Sequence, residues 1–336
     1  MNYPNSIFTG WYNTGHIQGI ALDKEKGYMY CSFTTCLIKM DLQGNVIGSV
    51  KGLLGHLGCI DFHEADGKVY GSLEYKNDAI GKGILKNAQH ADEVQDGFYI
   101  AIFDVDKINR MDMDACSDGV MKAVWLREVL EDYKADGHRY GCSGIDGTAF
   151  GSMFGAPAGS KEYLCVAYGI YSDTERADND HQVILCYDTD NWDELAQPLS
   201  QANPHTSGPV PYARYFVYTG NTTFGVQNLE YDANTHKWYM AVYRGTKPGF
   251  PNPGVFAIDG SIAPKMAPLK GLNEEGLTLT LDEHGIDGWD FSLGTTGLYA
   301  FGDGRFYISH PMHDERGWAS EITLYHYDEK SPFVKA

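Results

Sequence analysis

Apolar and polar positions alternate with a period of two along most of the chain, in short runs that stop at Gly, Asp or Asn, and this pattern predicts β-strands joined by tight turns. Several of the runs resemble one another. Those ending on aspartate read LIKMD (37–41), IAIFD (100–104), VILCYD (183–188), VFAID (255–259) and TLYHYD (323–328). Upstream of them lie strands in which an aromatic precedes a small residue: YMYCSF (28–33), KVYGSL (68–73), YLCVAY (163–168), WYMAVY (238–243) and FYISH (306–310). Stacking these places Ser32, Ser72, Ala167, Ala241 and Ser309 in one column, as close packing near a crowded axis requires. Further upstream still is a strand led in by glycine: GHIQGIALD (15–23), GHLGCIDF (55–62), SGIDGTAF (143–150), FGVQNLEYD (224–232) and HGIDGWDF (284–291). The segments DKEKG, HEADG and DANTHK that follow three of these carry the Asp, Asn and Gly signals of hairpin turns.

Each unit is therefore a meander of antiparallel strands, and repeated meanders of this kind arrange radially. Fourth strands are visible as VIGSV (46–50) and YFVYTG (215–220). The first residues, SIFTGWYNTGHIQ, read like the second of these. We therefore expect an all-β, five-bladed β-propeller with blades at about 15–54, 55–137, 138–220, 221–283 and 284–336, closed by residues 5–12 as the outer strand of the last blade. Segments 76–98, 105–137, 172–181 and 189–212 are long insertions, and MKAVWLREVLEDYKA within the second has the apolar spacing of a short helix. No linker marks a second domain.

In a propeller, the start of strand one and the end of strand two lie at the same mouth of the central channel. The starts of strand one carry His16, Gln18, His56, Asp146, Gln227, Asn228, His284 and Asp287. The ends of strand two carry Thr34, Glu74, Tyr168, Tyr243, Arg244 and His310. Imidazoles, carboxylates, amides and a guanidinium exceed what packing alone requires. They predict one asymmetric polar site. In this reading His16, His56 and His284 are the metal-ligating candidates, with Gln18, Tyr168, Gln227, Asn228 and Asp287 contacting substrate. His310, Glu74, Asp146, Tyr243 and Arg244 supply acid, base and charge neutralisation. A divalent cation such as Mn, Zn, Mg or Ca suits imidazole with amide and carboxylate oxygens. Without one, histidine and tyrosine can exchange protons while Arg244 neutralises a substrate carboxylate, which fits β-elimination from a uronic acid. A pair such as Asp146 and Glu74 can instead hydrolyse a glycosidic bond. Trp11, Tyr12, Tyr168, Tyr243 and Trp289 are candidate sugar-stacking walls.

In architecture the repeats resemble the five-bladed propellers, a group with many glycoside hydrolases and some sugar-binding lectins. That resemblance implies a carbohydrate-active enzyme, hydrolase or lyase, on a small-molecule or oligosaccharide ligand; the alternative is a non-catalytic propeller that binds a sugar or a protein. The chain has no GxSxG, GxxxxGK[ST] or HExxH motif. A net charge of −19 with no basic stripe argues against nucleic acid and anionic membrane as partners. Seven cysteines without a CxxC read as reduced, mostly buried thiols. The N-terminus lacks a basic and apolar leader pattern, so the expected location is cytoplasmic.

Overall fold

The computed structural model describes residues 3–87, 94–281, 288–328 and 331–336. Its strands form five antiparallel-cored sheets, the blades of a five-bladed β-propeller. The inner strands are Ile17–Asp23, His56–His63, Cys142–Ser152, Thr223–Asp232 and Leu298–Ala300, and they touch in a closed cycle, the last packing on the first. The second strands are Tyr28–Phe33, Lys68–Tyr75, Glu162–Ile170, Lys237–Tyr243 and Arg305–Asp314. Both faces of a blade are covered by its neighbours, so strands such as Ile17–Asp23 and His181–Tyr187 are buried throughout. The apolar core divides into five clusters, one between each pair of adjacent blades. Between blades three and four, for example, Cys165 and Ile184 meet Leu229, Trp238 and Phe256.

Closure occurs as the N-terminal repeat predicts. Ser6–Phe8 pairs with Gly317–Asp328, setting Ile7 opposite Ile322, and Ile7 is buried in the cluster between blades five and one. The turns after the inner strands are built by their aspartates: Asp23 accepts from Lys26 N, and Gly27 adopts the left-handed φ of 71° that such a turn needs. All seven cysteines are free thiols, five of them buried. Among the described residues no helix is long and apolar enough to cross a membrane.

The last blade starts later than the sequence suggests. Gly288–Trp289, within HGIDGWDF, pairs with Val255–Asp259 as the outer strand of blade four, and blade five takes Leu298–Ala300 as its inner strand. Glycines and alternating apolar residues are common to inner and outer strands, so the motif alone cannot tell them apart. Two insertions extend other blades: Met113–Asp114 lies parallel to Val46–Lys51, and Lys265–Pro268 with Glu275–Thr278 is added to Ala213–Tyr218. The segment read as one helix is a strand, Met121–Trp125, followed by a helix, Arg127–Lys134. A second helix, Ala79–Asn87, was not foreseen; Asp78 caps its first turn by accepting from Gly81 N at 2.9 Å.

Candidate functional site

Four of the five inner strands share an irregularity at the same level. Their pairing with strand two slips between Ile17 and Gly19, Leu57 and Ile60, Ile145 and Thr148, and Val226 and Asn228. The slipped residues include Gln18, Gly58, Asp146 and Gln227, which form one column across the four blades. A β-bulge re-aims the side chain it releases. Here three of the four bulges turn Gln18, Asp146 and Gln227 into one cavity of about 210 Å³, together with His16, His56, Glu74 and Tyr243. Lys76, Ile80, Ser143, Gly169 and Phe224 complete much of its wall.

The bulges are held by side chains of other blades. Ser32 Oγ donates to Gly58 O and Ser72 Oγ to Asp146 O, both at 2.7 Å. Asn228 Nδ2 donates to Gln18 O at 2.8 Å and to Thr295 O at 3.2 Å, while its Oδ1 accepts from Leu298 N. Asn228 is thus a buried clamp that positions the bulge at Gln18, and it is not among the residues that line the cavity.

Two residues before the bulge column the blades carry His16, His56, Gly144 and Gly225. This makes the mouth asymmetric, with imidazoles on blades one and two and bare backbone on blades three and four. Gly144 has φ of 136°, and a Cβ there would stand 1.9 Å from Glu74 Oε2. A Cβ on Gly58 would stand 2.2 Å from Asp146 Oδ1. Both glycines therefore make room for a carboxylate.

Glu74 is the centre of a buried charge network. Its Oε2 accepts from Ile145 N at 3.0 Å, and its Oε1 lies 2.5 Å from Lys76 Nζ. Lys76 Nζ also donates to Ser143 O at 2.9 Å. His56 Nδ1 is 3.4 Å from Glu74 Oε1 but poorly aligned, so the pair is a charge contact and Nδ1 lacks a hydrogen-bond partner among the described residues. Burial alone would push the Glu74 pKa up; the Lys76 ammonium and His56 outweigh it and hold Glu74 below its ordinary value. His56 is raised for the converse reason, burial opposing it while Glu74 and Asp146 stabilise its cation. Asp146 has weaker support, one contact from Cys59 N at 3.3 Å. Burial, partly offset by His56 and reinforced by the Glu74 charge, pushes its pKa up to about 7.

His16 is different. Its Nδ1 donates to Ile17 O at 2.8 Å, which leaves Nε2 as the lone-pair nitrogen of the neutral ring, 3.4 Å from the Gln18 amide nitrogen. Burial, partly offset by the Ile17 carbonyl, lowers its pKa, and the nearby His56 acts in the same direction. Gln18 also donates to Thr34 Oγ1 at 3.1 Å.

Phe224 and Tyr243 form the aromatic part of the wall, ring centroids 6.0 Å apart and nearly perpendicular. Phe224 is 45% exposed and has φ of 65°, a left-handed conformation unusual for a bulky residue. Such strain is a feature of functional sites when the surroundings enforce it.

Several sequence candidates lie elsewhere, for one reason of strand parity. Counting from the small-residue column, positions two and four further on share its face: Glu74, Lys76, Gly169 and Tyr243, all of which line the cavity. Tyr168 and His310 are one residue on and Arg244 three, so they face the other way. Tyr168 is buried, its hydroxyl donating to Asp132 Oδ2 at 2.8 Å. His310 Nε2 meets Tyr325 OH at 3.0 Å, and Arg244 pairs with Asp290 at 2.5 Å. None of the three lines the cavity. Among the proposed stacking walls only Tyr243 does: Trp11 lies under Arg316, Tyr12 against Phe33, and Trp289 near Lys237. His284 and Asp287 lie outside the described residues. Lys76 and Phe224 were missed, although Lys76 was available from parity.

Of the three expected metal ligands, His16 and His56 line the cavity and His284 lies outside the described residues. No group of three His, Cys, Asp or Glu among the described residues has the geometry to hold a metal ion, and the place beside Glu74 is taken by the Lys76 ammonium.

No protein-family model matches the chain, and no curated protein matches it. Solved structures similar to it include the soluble aldose sugar dehydrogenase of Escherichia coli in its apo form, at 9% identity and a TM-score of 0.40 over 95% of this chain and 99% of that one. A gluconolactonase from Xanthomonas campestris is similar at 10% identity and TM-score 0.41, over 92% and 72% of the two chains. The calcium structure of a Trichoderma reesei carbohydrate-active enzyme of family AA12 is similar at 10% and 0.41, over 91% and 80%. Similarity at this level assigns the chain no activity.

Proposed function

We propose that the protein is a carbohydrate-active enzyme that works by general acid–base catalysis on one sugar-sized ligand at the channel mouth. The observation that carries this reading is Asp146, a buried carboxyl on the cavity wall whose pKa of about 7 lets it give and take a proton near neutrality. His16 offers the complementary group, an imidazole kept neutral with Nε2 unprotonated. The cavity's 210 Å³ lies below the roughly 300–1,000 Å³ typical of drug-sized ligands, which favours a monosaccharide unit over a chain. The carboxamides of Gln18 and Gln227 suit hydroxyl groups, and Phe224 with Tyr243 suits a sugar face.

Of the two reaction classes, elimination is favoured over glycoside hydrolysis. A glycosidase pair needs a second carboxylate free to act as nucleophile or base. Glu74 is not free, since both its oxygens are engaged. In elimination from a uronide, His16 Nε2 takes the proton α to the carboxylate and the new carbon–carbon double bond forms. The bond to the leaving oxygen breaks, Asp146 protonates that oxygen, and the His56 cation balances the substrate carboxylate. The test is to incubate the protein with uronides and with neutral glycosides, following the ultraviolet absorbance of an unsaturated product and the release of reducing sugar. Absorbance gained with uronides, and lost in both D146N and H16A, is expected. Hydrolysis of neutral glycosides would overturn the elimination reading; saturable sugar binding without turnover would move the protein to the non-catalytic class.

A further inference from the structure

The opposite ends of the same inner strands bound a second cavity, of about 250 Å³. His56 and Asp61 are five residues apart on one strand, so the two cavities are separated by about 16 Å. Four carboxylates line this second space, Asp61, Glu64, Glu162 and Glu230, against one cation, Lys24. Lys24 is already committed, with Nζ 2.6 Å from Glu64 Oε1 and 3.3 Å from Phe301 O.

The two inner carboxylates differ in how they are satisfied. Asp61 accepts from Phe62 N and Phe150 N, each at 2.7 Å, and so ties blade two to blade three. Glu230 ties blade four to blade five through Oε2, which accepts from Ala300 N at 3.0 Å. Its Oε1 has no partner among the described residues, although the residue is only 2% exposed. An unpartnered buried carboxylate oxygen costs free energy unless a donor reaches it. Burial, with Asp61 adding to it, raises the Glu230 pKa well above its ordinary value, and burial raises Asp61 to about 7. The site favours added positive charge.

We propose that this cavity binds a small organic cation through a primary ammonium group, which donates to Glu230 Oε1. Two features select an organic cation over a metal ion. The space exceeds what one ion fills, and no group of three His, Cys, Asp or Glu among the described residues has the geometry to hold a metal. The aromatic rings of Phe62, Phe150, Tyr231 and Phe301 line the same space and would cover the alkyl part and the face of the cation. Glu64 and Glu162 at the rim add attraction for a cation approaching from solvent.

The experiment uses butylammonium chloride as probe, with sodium chloride and calcium chloride at matched ionic strength, reading melting temperature and calorimetric affinity on the intact protein. Butylammonium should raise the melting temperature above both salts. E230Q should weaken it by about tenfold or more, the loss of one charge-assisted hydrogen bond. K24M, which releases Glu64 from its ion pair, should tighten it, an effect that damage to the fold cannot imitate. No rise above sodium chloride, an affinity unchanged in E230Q, or greater stabilisation by calcium would each overturn the proposal.

Discussion

Replacing Glu74 tests whether the polar mouth is held by the charge network described above. The side chains of Glu74 and Lys76 are 4% and 5% exposed, and their closest atoms are 2.5 Å apart. Removing one partner from such a buried pair costs about 3–5 kcal/mol, because the other charge is left uncompensated. E74A also strips the acceptor from Ile145 N, a buried donor whose loss is worth about 1–3 kcal/mol by itself. Lys76 retains Ser143 O at 2.9 Å and has Asp78 Oδ2 at 3.9 Å, which partly compensates it. The sum therefore stays near 3–5 kcal/mol rather than reaching the total of both losses. K76M should be destabilising in the same sense, and E74L/K76M should recover much of the loss, since an apolar pair of similar volume is often neutral. Urea melts followed by both tryptophan fluorescence and circular dichroism give the midpoints and show whether the transitions coincide. E74Q has a second readout. The Glu74 charge helps to raise Asp146, so its removal should lower the Asp146 pKa and move the corresponding limb of a pH–rate profile towards acid. A cost for E74A below about 1 kcal/mol, or a double variant no better than the worse single one, would refute the network as the organiser of the site.

Asp146 makes a prediction about pH. Its folded pKa is raised from about 4 to about 7, so between these values the native state binds more protons than the unfolded chain, and its contribution to stability is present below about pH 4 and lost as pH rises through about 7. D146N should flatten the pH dependence of the melting temperature over that window; an unchanged slope would count against the raised pKa. Phe224 makes another: F224G removes the strain of a left-handed phenylalanine, worth about 1–2 kcal/mol, against a glycine entropy cost of about 0.5–1 kcal/mol. It should be neutral or slightly stabilising in a melt while weakening sugar affinity in calorimetry, and a large destabilisation would show that the ring is structural. H310A and R244A should leave turnover and sugar affinity unchanged, because both side chains lie outside the cavity; loss of either property in a well-folded variant would restore them to the site.

The blades were legible because the two physical demands on them leave marks in sequence. Each strand must bury both faces against its neighbours, which produces short dense apolar runs, and each hairpin must turn, which produces Asp and Gly. The bulge column was legible in part: the glycine-led motifs align Gln18, Asp146 and Asp287, with Gln227 beside Asn228 as a fourth copy and Gly58 on blade two, but Asp287 belongs to the motif that pairs as an outer strand and itself lies outside the described residues. What the alignment could not show was that strand pairing slips there. The slip is the reason these side chains converge. The last blade was misplaced because Gly288–Trp289 pairs as an outer strand, and the preference of a Gly-rich strand for the inside or outside of a blade is decided by its partners.

The misread candidates at the ends of strand two show where position along a strand stops being informative and parity takes over. His310 and Arg244 were chosen for their chemistry and for lying near the right end, but a single residue step turns a side chain to the opposite face of the blade. The small-residue column supplies the missing phase. Ser72 reaches the carbonyl of Asp146, so its face meets the next blade at the channel; Glu74 and Lys76 follow at even spacing and must continue along that face. The same count from Ala241 selects Tyr243 over Arg244, and from Ala167 selects Gly169 over Tyr168. The second strand of blade three therefore contributes no side chain at this level, and the bare backbone of Gly169 lies on the same cavity wall as Phe224. The asymmetry has its origin here: a buried ionic cluster on blade two faces an open, glycine-lined flank on blades three and four.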